Sequence, residues 1–161
     1  MWERGVGSMF RYPALLVLIG RAAILAIGLI GMPALAQPMA SPAGTWSTAD
    51  GHGVVAIEPC GDAFCGRIVG IDRAPTEPIP TDVRGRSQCG LTIIKKEKPK
   101  ADGTWVGVVT DPRDGMTYDA KLWLDESGDL HLRGFIGIPQ LGATQTWRRF
   151  TGHLTAECGL A

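Results

Sequence analysis

The sequence predicts an all-β protein, a small antiparallel meander β-barrel of about eight strands, preceded by a cleaved signal peptide. Three observations predict it. Short segments alternate apolar and polar residues at period two. Glycine turns separate many of these segments. No segment after residue 37 shows a convincing helical period. Short strands without crossover helices form a barrel or a sandwich, and the barrel is favoured because closure leaves no unpaired edge.

The leader is read from its charge and its apolar run. Residues 1–13 carry Arg4 and Arg11 with one acid, Glu3. The run "ALLVLIGRAAILAIGLI" from Ala14 to Ile30 follows, and then "GMPALAQ". Ala34 and Ala36 place small residues at the two positions that a signal peptidase reads, so cleavage is expected before Gln37. The competing reading is a retained membrane helix. The run approaches the ~20 residues of a span, but Arg21 interrupts it at a costly depth. The expected product is a periplasmic or secreted protein of the bacterial cell envelope, without a stable membrane span. Its parts are a short linker (37–43), a barrel domain (44–150) and a C-terminal tail (151–161).

Removing Arg4, Arg11, Arg21 and Glu3 from 16 residues of each sign leaves 13 basic and 15 acidic residues. So balanced a domain has no electrostatic footprint for nucleic acid. The basic stretch "KKEKPK" (95–100) is short, contains an acid and a proline, and reads as a solvated loop.

The clearest strand is "MTYDAKLWLD". Tyr118, Ala120, Leu122 and Leu124 fall on one face, and Thr117, Asp119 and Lys121 on the other, with Trp123 the exception. In "DLHLRGFIG", Leu130, Leu132 and Ile136 point one way, His131 and Arg133 the other. Weaker runs lie at 44–48, 53–58, 64–71, 90–96, 104–110 and 144–150. Turns such as "ADGHG", "DPRDG" and "DESGD" supply the Asp and Gly that tight reversals need. One connection, residues 72–90, holds Pro75, Pro78 and Pro80 and has no strand pattern. A loop this long in a small domain is either a binding loop or a cover over one barrel end.

Cysteines in an exported protein tend to be oxidised. Cys60 and Cys65 sit at the ends of the loop "GDAF" between successive strands, where a hairpin brings positions within disulfide reach. A zinc site would need further ligands at matching spacing, and a redox pair would more typically be C-x-x-C opening a helix. A hairpin staple is therefore expected, with Cys89 and Cys158 paired together or free, and Cys65–Cys89 as the competing pairing.

The motifs "GTWSTADGHGVVAIEPCGDAFCGRIV", "CGLTII", "DPRDGMTYDAKLWL" and "GDLHLRGFIGIPQLGATQTWRR" follow one another as in a bacterial exported family, the domain-of-unknown-function family numbered 2147. The resemblance covers residues 44–150. It implies a small barrel of the calycin and lipocalin type, and it implies no activity. Gly44-Thr45-Trp46 also resembles the G-x-W that opens lipocalin barrels. Because first and last strands are neighbours in such a barrel, Arg148 is expected to lie over Trp46 as a cation–π plug with a structural role.

Candidate chemistry is sparse. Asp111, Asp114 and Gly115 read as a turn, not a calcium loop. Asp119, His131 and Arg133 read as exposed strand residues that would suggest catalysis only if gathered around one point. No G-x-S-x-G elbow and no Gly-rich loop opening a helix is present. Neither a cofactor nor a metal is expected, and no catalytic residue is assigned. Two functions remain. The first is a non-catalytic binder of a small apolar or amphipathic ligand, lined by Trp105, Tyr118, Trp123, Phe135 and Ile136, with Arg84 and Arg86 at the rim for an anionic head group. The second is an envelope structural or interaction protein with a filled barrel that works through its loops. The sequence does not set the oligomeric state.

Overall fold

The computed structural model describes residues 40–161. The expected signal peptide and cleavage site lie outside the described residues. Eight strands run in order: β1 (Gly44–Ser47), β2 (Gly53–Cys60), β3 (Ala63–Ile71), β4 (Thr92–Pro99), β5 (Trp105–Thr110), β6 (Thr117–Leu124), β7 (Leu130–Phe135) and β8 (Ala143–Arg149). Each pairs antiparallel with the next, and β8 returns to β1, so the sheet closes into a barrel. One 3₁₀ turn (Pro139–Leu141) lies between β7 and β8. No helix among the described residues is long and apolar enough to cross a membrane.

Closure rests on a short seam. Only Trp46 and Ser47 of β1 find partners on β8, Arg149 and Arg148 respectively. Trp46 is fully buried and donates its indole N–H to the Pro42 carbonyl at 2.9 Å. The guanidinium that covers it belongs to Arg149, 4.1 Å from the ring centroid. The expected Arg148 points outward instead, with 84% of its side chain exposed, 3.8 Å from Asp129. The reason is strand parity: Trp147 is buried inside, so Arg148 must face solvent and Arg149 returns to the inner side at the barrel's end. Arg149 also donates to the Ala43 carbonyl at 2.9 Å, which ties the chain entering β1 to the end of β8.

The half of the barrel nearest that seam is filled. Trp46, Ile57, Ile94, Trp105, Leu122 and Leu130 pack there as buried core, with Phe64 edge-on to Trp105 at 6.3 Å. The stretch "KKEKPK" is not a solvated loop. β4 runs through it to Pro99, and Glu97 within it is fully buried. The cause is a bulge: Lys95 pairs with Val108 and Lys98 with Val106, so Lys96 and Glu97 together oppose Gly107. Lys96 takes a left-handed φ of 60°, and a Cβ on Gly107 would stand 2.5 Å from the Lys95 carbonyl oxygen. Only glycine leaves room for the bulge there, and the bulge turns Glu97 inward. Neither carboxylate oxygen of Glu97 has a hydrogen-bond partner. Burial pushes its pKa up to about 8.

Two disulfides fasten loops to the barrel. Cys60–Cys65 staples the β2–β3 hairpin with Cα atoms 5.8 Å apart. The two are diagonal neighbours, since Cys60 opposes Ala63 and Cys65 opposes Glu58. Cys89–Cys158 joins the end of the long β3–β4 connection to the C-terminal segment. That segment packs on the wall: the Ile71 amide donates to the Cys158 carbonyl at 2.8 Å, and Leu154 and Leu160 close over Gly70. Arg73 reinforces the link by donating to the carbonyls of Glu77 and Glu157. Disulfide bonding points to a protein outside the cytoplasm.

Three outcomes follow from this fold. Replacing Arg149 with Ala should cost about 1–2 kcal/mol in urea unfolding by loss of the cation–π cover, while Arg148→Ala should cost under about 0.5 kcal/mol. Replacing Cys89 and Cys158 with Ser should destabilise more than replacing Cys60 and Cys65. The loops closed give about 4 against about 2 kcal/mol in the chain-entropy picture, and equal losses would reject that ranking. Finally, Glu97 is protonated when folded up to about pH 8, whereas its ordinary value is 4.5. Its contribution to stability is therefore complete below pH 4.5 and declines, by several kcal/mol, as pH rises through 8. Glu97→Gln should remove that decline, which a comparison of melting temperatures between pH 4 and 9 would read.

Candidate functional site

Above the filled half, the interior opens into a cavity of about 750 Å³. Its wall comes from inward positions on successive strands: Val55, Ile68, Ile93, Val109, Leu132 and Trp147. These are the alternate residues of strands whose other face meets solvent, so the same period-two pattern that builds the barrel makes its lumen apolar. Gly134 on β7 leaves space in the wall. A Cβ there would meet Val109 at 3.6 Å and Tyr118 at 3.7 Å, which are ordinary contacts.

The mouth is formed by the loops at one end of the barrel. The β1–β2 turn contributes Thr48, Asp50 and His52; the β5–β6 turn contributes Asp111, Pro112 and Arg113; the β7–β8 loop contributes Ile136, Leu141 and Gly142. Polar groups at the rim are already paired. Arg113 grips Asp111 through Nε at 3.0 Å and Nη2 at 2.7 Å. That hydrogen bond holds the Asp111 carboxyl below the usual carboxylate range, against the opposing effect of burial. His52 Nδ1 lies 3.2 Å from Asp72. Inside, Trp147 donates its indole N–H to Gln145 Oε1 at 2.9 Å, which satisfies the polar atom of the largest wall residue.

The residues expected from the sequence to bind ligand divide. Tyr118, Phe135 and Ile136 line the cavity. Trp105 does not; it is buried in the filled half against Phe64. Trp123 lies on the outer wall, stacked on His131 with centroids 4.9 Å apart, and borders a separate external groove with Lys121, Arg133 and Gln140. Arg84 and Arg86 are also absent from the rim. Their loop is organised by Asp82, whose Oδ1 accepts from the amides of Arg84 and Arg86, both at 2.9 Å, and whose Oδ2 accepts from Arg86 Nε at 2.8 Å. Burial raises the Asp82 carboxyl, but the Arg86 and Arg84 amides and the Arg86 guanidinium outweigh it and leave the pKa lowered. The connection is therefore not structureless: Thr81 and Ser87 form a bridge across a small hairpin, and only Gln88 reaches the cavity.

Strand parity was the signal that could have found the missed wall residues. Val55, Ile68, Ile93, Val109, Leu132 and Trp147 are ordinary core positions in sequence, and what marks them is their depth along the barrel.

Asp119, His131 and Arg133 do not converge. His131 Nε2 lies 2.9 Å from Asp125, and its Nδ1 lies 3.1 Å from the Thr146 hydroxyl. Arg133 turns away to the carbonyls of Pro139 and Gln140. The hydroxyl–imidazole–carboxylate row is a cross-strand ladder on the outer wall, with His131 and Thr146 directly opposite. Among the described residues, no three His, Cys, Asp or Glu side chains gather where they could hold a metal ion.

Known proteins agree with this architecture. Among curated proteins no sequence matches. A solved structure with a similar fold is that of protein HP1028 from Helicobacter pylori, described as belonging to the lipocalin family. It superposes with a TM-score of 0.60 at 18% identity, covering 69% of this chain and 84% of that one. The similarity is one of fold. The profile of a bacterial family spans residues 44–149, from the first residue of β1 to the last of β8, and the chain accordingly belongs to the family described as "Uncharacterized protein conserved in bacteria (DUF2147)".

Proposed function

We propose that this barrel is a non-catalytic binder of a small apolar or amphipathic molecule, held in the cavity and working in the bacterial periplasm or after secretion. The observation that carries the reading is the cavity itself. About 750 Å³ lies within the ~300–1,000 Å³ of small-molecule sites. Its walls are Val, Ile, Leu and Trp, and its charged groups stand at the rim. A ligand with an apolar body and a polar end fits that division. The paired state of Asp111, Arg113, His52 and Asp72 favours a head group that is neutral or zwitterionic over one that needs a free cation. The cavity supports this reading over a wholly filled barrel acting through its loops. The dispersal of His131, Asp119 and Arg133 supports a role without catalysis.

The test is native mass spectrometry of the protein purified from cells, followed by titration with a fluorescent amphiphile. An extra mass lost on denaturation, or saturable uptake of the amphiphile, is expected. Gly134→Phe should reduce uptake at least about tenfold with the melting temperature kept, because its side chain would enter the lumen with only ordinary contacts at its Cβ. Undiminished uptake by that variant would place binding elsewhere.

A further inference from the structure

The β7–β8 loop has a surface that the cavity alone does not explain. Among the described residues, the large hydrophobic side chains left exposed are Val83, Met116, Ile136, Ile138, Leu141 and Leu154. Leu154 packs beside Gly70 on the wall. The other five sit on loops at the mouth, and Val83 meets the β5–β6 turn at Gly115, next to Met116. The most prominent three belong to one segment, "IGIPQLG" (136–142), which carries no charge. Ile136 is 65% exposed, Ile138 53% and Leu141 79%.

We propose that this segment is a lipid-docking wedge, which seats the barrel mouth on a bilayer surface. Three features favour lipid over a protein partner. The first is area. The three side chains expose roughly 350 Å², and with Val83 and Met116 the mouth still falls short of the ~800 Å² that each partner buries in a stable protein complex, yet it is suited to shallow insertion beneath head groups. The second is charge: an apolar wedge without a charged residue meets no desolvation penalty from ions on entering a bilayer. The third is the backbone. An apolar phase penalises unpaired backbone groups, and this loop pairs several of its own. The Ile138 amide donates to the Ile136 carbonyl, the Leu141 amide to Ile138, and the Gly142 amide to Pro139. Arg133 reaches up the wall and donates to the carbonyls of Pro139 at 2.6 Å and Gln140 at 3.2 Å. The loop thus presents aliphatic side chains outward while the carbonyls of Ile136, Ile138, Pro139 and Gln140 are engaged.

The wedge is continuous with the lumen, because Ile136 and Leu141 also line the cavity. Docking would let an apolar ligand pass between bilayer and barrel without crossing water. This purpose rests on the reading of the cavity as a ligand site, whereas docking itself does not.

Ile138 is exposed and does not line the cavity, so it isolates the wedge from the lumen. The experiment is flotation of the protein with vesicles of phosphatidylethanolamine and phosphatidylglycerol, at low and high salt, alongside amphiphile uptake without vesicles. The wild type should float at both salt concentrations. Ile138→Asp should lower the vesicle-bound fraction at least about tenfold with uptake unchanged, and Ile138→Leu should restore it. The proposal is overturned if the wild type does not float, if Ile138→Asp floats equally well, or if high salt alone releases it. It is also overturned if light scattering finds a dimer that Ile138→Asp dissociates, since the wedge would then seat a second copy. Flotation without any amphiphile uptake would leave docking standing and remove the ligand reading instead.

Discussion

The barrel depends on a seam two residue pairs long. An eight-stranded meander has two free edges until its first strand meets its last, and here β1 offers only Trp46 and Ser47 to β8. So few ladder bonds would hold weakly alone. The indole of Trp46 concentrates the closure in one place. It is buried among the core, anchored to the Pro42 carbonyl, and capped by the Arg149 guanidinium, which itself holds the Ala43 carbonyl. Side chain and backbone from both ends of the sheet are thus locked together. Everything above, including the register of the strands that line the lumen, presupposes that the sheet is shut.

The interior is divided along its axis. Near the seam, buried side chains pack together as core; toward the mouth, the inward residues line an open lumen into which Gly134 sends no side chain. The two disulfides follow the same division. One staples a hairpin, and the other secures the long β3–β4 connection and the C-terminal segment against the outer wall. Against these stabilising features stands Glu97, a carboxyl kept neutral inside the filled half by burial alone. It is placed there by a bulge and a left-handed Lys96, local departures from strand geometry that bend the strand.

Lumen, rim and wedge form one gradient of polarity. The walls are aliphatic and aromatic, the polar groups named at the rim are already paired, and the β7–β8 loop returns to uncharged aliphatics that face outward. The outer wall is different in kind: His131, Trp123, Thr146 and Arg133 make cross-strand ladders typical of a solvated sheet face. The separation explains why the aromatic residues do not act together. Trp105 is ballast in the filled half, Trp123 is on the outside, and Trp147 is the indole of the cavity wall.

Period-two alternation and glycine turns determined the strands, and the spacing of the cysteines favoured the Cys60–Cys65 staple, because these depend on neighbours within a few residues; the barrel was favoured over a sandwich only because closure leaves no unpaired edge. Family motifs carried the expectation of a calycin-like topology, and the position of Trp46 at a barrel closure was legible from G-x-W. Parity along "TWRR" puts Arg149, not Arg148, over that indole once Trp147 faces inward. Other features had no local signal. Glu97 sits in a run of lysines that looks solvated, and only the approach of Gly107 from another strand turns it inward. Arg84 and Arg86 look like free cations until Asp82 folds against them. Whether Trp105, Trp123 or Trp147 lines the cavity depends on strand face and depth along the barrel axis together. Alternation shows which residues share a face, whereas closure, stagger and bulges decide which face is inside and at what height, and those are set by strands far apart in the chain.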